Sequence, residues 1–178
     1  MGILAVGLLS LAQLFALSTR ANVGSRSTTF TAMLAQQKLE QLRGLTWGFD
    51  SLNLPISDLS TDLSVVEAQA GCAASAGGGS AVGLSPSPSG ALTSNISGYV
   101  DYLDAKGCVL GGGSNAPNGT VYIRRWSVEP LPTNPNNTLI LQVLVTTRRN
   151  RGSAANAGNV TRLTEEARLM TVKTRKTR

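Results

Sequence analysis

The chain has 178 residues, 16 Lys+Arg against 10 Asp+Glu, no His and only 4% aromatic residues. That length fits one domain, or a small domain with an appendage, and the shortage of aromatics implies a modest, β-branched core. Without His the commonest general base and zinc ligand are missing, and two distant Cys cannot form a four-ligand site, so the expectation is a non-enzyme without cofactor or metal.

Residues 1–19, MGILAVGLLSLAQLFALST, carry no charge. As a helix they would run about 28 Å at about 1.5 Å per residue, close to the roughly 30 Å of a bilayer core. A retained apolar helix would pack through Ile3, Leu4, Val6, Leu8, Leu9, Leu11, Leu14, Phe15 and Leu17. A cleavable secretory signal is the competing reading. Ala16-Leu17-Ser18 fits its small-x-small site, although no Lys or Arg precedes the run.

Helical character resumes in TTFTAMLAQQKLEQLRGL as an amphipathic pattern. Ala32, Ala35, Leu39 and Leu42 recur at three- and four-residue steps with Phe30 and Leu34 beside them, which leaves Gln36, Lys38, Glu40 and Arg43 to the polar side. A bend near Gly24 and a C-terminal cap at Gly44 are expected. The helix then occupies 1–46 and a head 47–178.

In the head, 46–69 reads as an irregular connection with one short helix, and the Ala/Gly/Ser/Pro-rich 68–90 as a mobile loop. Strands are expected over 97–103, 120–129, 138–147 and 168–173. Tyr122, Arg124, Trp126 and Val128 share one face of the second, and LILQVLV in the third is apolar on both faces, as befits a central strand covered by the amphipathic helix. Cys72 and Cys108 bracket the small-residue loop. Outside the cytoplasm they would form a disulfide, worth roughly 3 to 4 kcal/mol in the chain-entropy model, while two buried thiols are the alternative.

Catalytic and nucleotide-binding motifs are missing: there is no P-loop, dinucleotide fingerprint, nucleophile elbow, C-x-x-C or H-E-x-x-H. The Gly runs at 77–79 and 111–113 read as flexible loops, and Asp50, Asp58, Asp62, Glu67, Asp101 and Asp104 as solvated turn residues. Arg124 and Arg125, then Arg148, Arg149 and Arg151, then Lys173, Arg175, Lys176 and Arg178 could converge on one rim of the sheet as a basic patch for DNA phosphates. A solvated face explains them equally well, and no aromatics interleave the tail for base stacking.

An apolar half-helix continuing into an amphipathic half, a loop bracketed by cysteines and a closing antiparallel sheet together resemble type IV pilins and pseudopilins. The likeness is densest in ILAVGLLSLAQLFAL with LAQQKLEQLRGL, and continues in RRWSVEP, LILQVLV and RLMTV; it points to minor pilins of the PilV type and minor pseudopilins I of type II secretion. The resemblance implies an α+β, pilin-like fold with a long N-terminal helix on an antiparallel sheet head. It also implies a single-pass inner-membrane protein with an extracytoplasmic head, moving to a pilus at the cell surface. Its partners would be other pilin subunits, the assembly machinery and, before assembly, membrane lipid. The family's leader, cleavage-point Gly and helix-start Glu match no residue here, and Met1 corresponds to a position inside the mature helix. Arg20 and Arg26 after the span would by charge bias leave the head cytoplasmic, whereas the family orientation places it outside. A signal-anchored extracytoplasmic binding domain is the alternative from another class.

Overall fold

A computed structural model describes residues 2–66, 70–148 and 166–175, with the backbone alone at 2–6, 23 and 76. Helix α1 (Gly2–Gly44) runs without a break. Gly24 does not interrupt it. In the Ser/Thr-rich middle, the hydroxyls of Ser25, Thr28 and Thr29 donate to the carbonyls of Ala21, Gly24 and Ser25 one turn back. Side chains that elsewhere compete with a helix backbone are thus absorbed into it.

The head contains β1 (Trp47–Phe49), β2 (Pro55–Ser57), β3 (Val65–Val66), β4 (Ser75–Ala76), β5 (Val100–Leu103), β6 (Val109–Gly112), β7 (Tyr122–Pro130), β8 (Thr138–Thr147) and β9 (Ala167–Thr174). Among the described residues the main sheet has five strands in the order β6-β5-β7-β8-β9, and every pairing is antiparallel. The architecture is α+β, a long helix on an antiparallel sheet. β7, β8 and β9 lie where the alternating patterns place them. Where a short helix is expected after Trp47, β1 and β2 form a hairpin, because Asp50 accepts the amides of Leu52 and Leu54 and turns the chain.

The C-terminal half of α1 lies across β7, β8 and β9. Its buried stripe is Thr31, Leu34, Ala35, Lys38, Leu39 and Leu42, stepping by three and one. Opposite it the sheet offers Leu103, Trp126, Val128, Leu139, Leu141, Val143 and Val145, so LILQVLV is the covered central strand its composition requires.

Most of the segment expected to be mobile is built into the head; Glu67, Ala68 and Gln69 lie outside the described residues. Leu84 and Ala91 are core residues, and the Ser87 amide donates to the Val128 carbonyl at 2.9 Å. The two Gly runs interlock rather than flex. The Gly112 amide donates to Gly77 O at 2.8 Å, and a Cβ on Gly111 or Gly113 would stand 2.7 Å from the carbonyl oxygen of Gly77 or Gly78. Only residues without side chains allow two backbones so close. The Cys72–Cys108 disulfide closes the same region onto the start of β6.

Candidate functional site

Two features of α1 stand out, one uncovered and one buried. Along the uncovered N-terminal half, Leu8, Leu9, Leu11, Leu14, Phe15 and Leu17 are 54–73% exposed. Every described side chain from Gly7 to Asn22 faces solvent, and contact with the head begins around Gly24 and Ser27. Ile3, Leu4 and Val6 belong to the side chains outside the described set. Among the described residues no helix is long and apolar enough to cross a membrane.

The second feature is the joint between α1 and the sheet. Asp101 on β5 pairs in register with Arg124 on β7, which brings both side chains to the helix side. Arg124 Nε and Nη2 each donate to the Asp101 carboxylate at 2.9 Å, a bidentate fork. From the helix, Lys38 Nζ stands 2.7 Å from Asp101 Oδ2 and donates to the Leu63 carbonyl at 2.7 Å. It also lies 4.5 Å from the centre of the Trp126 ring. Arg124 Nη1 completes the joint by donating to Leu34 O at 2.9 Å and to Gln37 Oε1 at 3.2 Å. The Lys38 and Asp101 side chains are 0% exposed and that of Arg124 2%.

Two cations against one carboxylate leave the joint with a net positive charge. Desolvation, with a smaller contribution from the neighbouring Arg124, lowers the Lys38 pKa to about 8, only partly offset by Asp101 and Asp62. Burial pushes Asp101 upward, but the Arg124 and Lys38 cations outweigh it, so the carboxyl titrates below its ordinary range.

This arrangement corrects three expectations. Lys38 is not on a solvated face, Asp101 is not a turn residue, and Arg124 is not part of a surface patch. The other turn carboxylates behave as expected: Asp58 accepts the amides of Ser60 and Thr61, Asp62 that of Ser64, and Asp104 those of Lys106 and Cys108.

The basic residues do not converge on one rim among the described residues. Arg125 is buried and donates through Nε and Nη2 to Asn95 Oδ1 at 3.0 and 2.7 Å. Lys173 reaches from β9 to the end of α1, donating to the carbonyls of Leu42, Arg43 and Leu45. It thereby supplies the C-terminal cap expected of Gly44, which is the last helical residue and has no left-handed φ. Arg175 lies 3.6 Å from the centre of the Trp47 ring and donates to the carbonyls of Gly48, Ile56 and Asn136, clamping the β1–β2 hairpin to the turn before β8. Arg148 is exposed, and Arg149, Arg151 and Lys176 lie outside the described residues. A guanidinium or ammonium bonded to internal carbonyls has few donors left for phosphate.

No group of three or more metal-ligating side chains is found among the described residues. The joint itself offers no route to chemistry, because its carboxylate is held ionised by two cations and its lysine is turned inward. What it does is fix how far along its axis the helix sits on the head. No known protein family, characterised protein or solved structure matches the chain.

Proposed function

We propose that the chain is a minor pilin-like subunit of a type IV pilus that contributes to assembly through helix packing. One observation carries the reading: six large apolar side chains between Leu8 and Leu17 stand more than half exposed on a helix whose other half is anchored in the head. A contiguous apolar surface of that kind marks an interaction site, since leaving it in water is unfavourable by about 25 cal/mol per Å². In this reading the apolar half is kept in lipid before assembly and exchanged for the apolar halves of neighbouring subunits afterwards. The buried joint supports it by tying the head to the stalk, and an oxidised cysteine pair suits an extracytoplasmic head. A pseudopilin of a secretion system would use the same surface.

The test is recovery of the native protein from cells. The expected result is intact protein, beginning before Leu8, in sheared surface fibres or, for a pseudopilus component, in the membrane fraction. Mature material beginning beyond Leu17 and free in the extracytoplasmic space would overturn the reading in favour of a secreted domain released from its signal.

A further inference from the structure

The main sheet ends in two unlike edges. β6 is short, its pairing with β5 shifts register after Tyr102, and the Gly112 amide is taken by Gly77 O. Such features keep an edge from accepting another strand. β9 has none of them: it runs eight residues in unbroken register with β8, and no second strand pairs with it among the described residues.

Parity fixes which of its backbone groups are spare. The Arg175 amide donates to Asn137 O at 2.8 Å, and bonded positions of an antiparallel ladder recur at every second residue. Leu169, Thr171 and Lys173 therefore face β8, while the N–H and C=O of Arg168, Met170 and Val172 point away from it. The side chains of these three residues stand on the sheet face opposite α1, with Met170 66% and Val172 56% exposed. At the far end of this edge a cleft of about 790 Å³ opens between the last turn of α1, β1 and Val172–Thr174, with Glu40, Arg43, Trp47 and Phe49 on its walls. Glu40 and Arg43 pair with each other at 2.9 Å, so the cleft wall carries no unbalanced charge from them.

We propose that the β9 edge and this cleft bind an extended peptide segment of another protein, which adds as a sixth strand antiparallel to β9. The spare backbone groups call for a strand rather than a helix or a small molecule. Met170 and Val172 call for apolar residues opposite them, and the cleft has room for a large apolar side chain next to Trp47 and Phe49. Charge selects the sign of the partner. Residues 167–175 hold Arg168, Lys173 and Arg175 and no acid, which favours an acidic residue opposite Arg168. A second copy of β9 would bring three more cations. Its two-fold axis would also send the two apolar halves of α1 in opposite directions, which one bilayer or one fibre does not allow.

The probe is a fluorescent peptide, Thr-Phe-Val-Thr-Val-Thr-Glu, titrated into the full chain in detergent and followed by anisotropy. Run antiparallel, it sets its glutamate opposite Arg168, its valines opposite Met170 and Val172, and its phenylalanine opposite Lys173 on the cleft side. Saturable binding is expected, and methylating the two valine amides, which keeps both side chains, should weaken it by at least about tenfold. Arg168→Glu should weaken binding about fivefold, and a peptide with lysine in place of glutamate should recover it. Amide exchange at Arg168, Met170 and Val172 should be fast in the free chain and slow with peptide bound. No saturable binding up to about 1 mM peptide overturns the proposal, as do equal affinity for the methylated peptide and failure of the charge swap to restore binding. Slow exchange of the three amides in the dilute free chain would show the edge filled from within the molecule. Slowing that appears only with rising protein concentration would give the edge to a second copy, and either result removes the proposed partner. The site does not depend on the filament reading, whose own test, recovery from fibres or membranes, leaves peptide binding untouched.

Discussion

Asp101 is shared by two cations, so the three members of the joint differ sharply in what their loss does. Asp101→Asn leaves Lys38 and Arg124 buried without a counter-charge and is expected to destabilise by about 3–5 kcal/mol in urea unfolding at pH 7. Lys38→Met removes the surplus charge while the Arg124–Asp101 fork stays intact, so the expected result is between neutral and about 2 kcal/mol more stable. Titration gives a second readout. Lys38 holds its proton less tightly when folded, at about 8 against an ordinary value of 10.5. Between those pH values the unfolded chain binds more protons than the folded one, so this group makes stability rise with pH across that window. The rise should be present in the parent and missing in Lys38→Met; equal slopes for both would show that Lys38 is not the titrating group. For Asp101 the sign is the usual carboxylate one: its contribution is present above the ordinary Asp range and is lost as pH falls through the depressed folded value. Part of this was legible in the sequence. Lys38 lies seven residues after Thr31 and three after Ala35, on the buried stripe by spacing, but its residue type argues for the polar side, and the partners that reverse that preference come from strands far along the chain.

At the level of elements, spacing was most informative where strands are long. The alternation of β7 and the two-sided apolar run of β8 identify both strands, but neither face of β7 is purely apolar and β8 is apolar on both, so the face that receives the helix is set by packing. β1 to β4 have two or three residues each, too few for a period to show, and are held by Asp side chains, by Arg175 and by the disulfide rather than by a hydrophobic pattern. Composition misleads at the Gly runs for a related reason, since it reports backbone freedom in the free chain and not a second Gly run that fills the same space. Gly111 and Gly24 separate the two roles. Gly111 has φ +144 and no room for a Cβ, so Gly111→Ala is expected to lose at least about 2 kcal/mol in thermal unfolding. Gly24 is helical with open space around it, and Gly24→Ala should gain about 0.5–1 kcal/mol of helix stability, read as slower amide exchange around that turn. A neutral Gly111→Ala would mean that the two runs do not interlock.

Across the whole molecule, α1 is one continuous rod with two environments. Its C-terminal half is buried, bonded through Lys38 and capped by Lys173, whereas its N-terminal half touches nothing in the head from Gly7 to Asn22. Stability and association should therefore separate along the chain. The disulfide belongs to the stability side. Reducing it opens the segment between residues separated by 36 positions, and the expected loss is about 4 kcal/mol in the chain-entropy model, measured as the fall in unfolding free energy on adding reductant. The apolar half belongs to the association side. A variant lacking residues 2–20 removes the six exposed apolar side chains but none of the buried stripe, so its thermal midpoint should stay within about 3 °C of the parent, the equivalent of about 1 kcal/mol in a domain of this size. The same variant should sediment as a monomer at concentrations where the full chain associates. A large drop in midpoint would mean that the apolar half folds back to support the head, and the exposed surface would then be an internal one. An unchanged midpoint with undiminished association would move the contact elsewhere, and the first surface to examine would be the β1–β2 hairpin, where Leu52 and Leu54 stand 77% and 57% exposed.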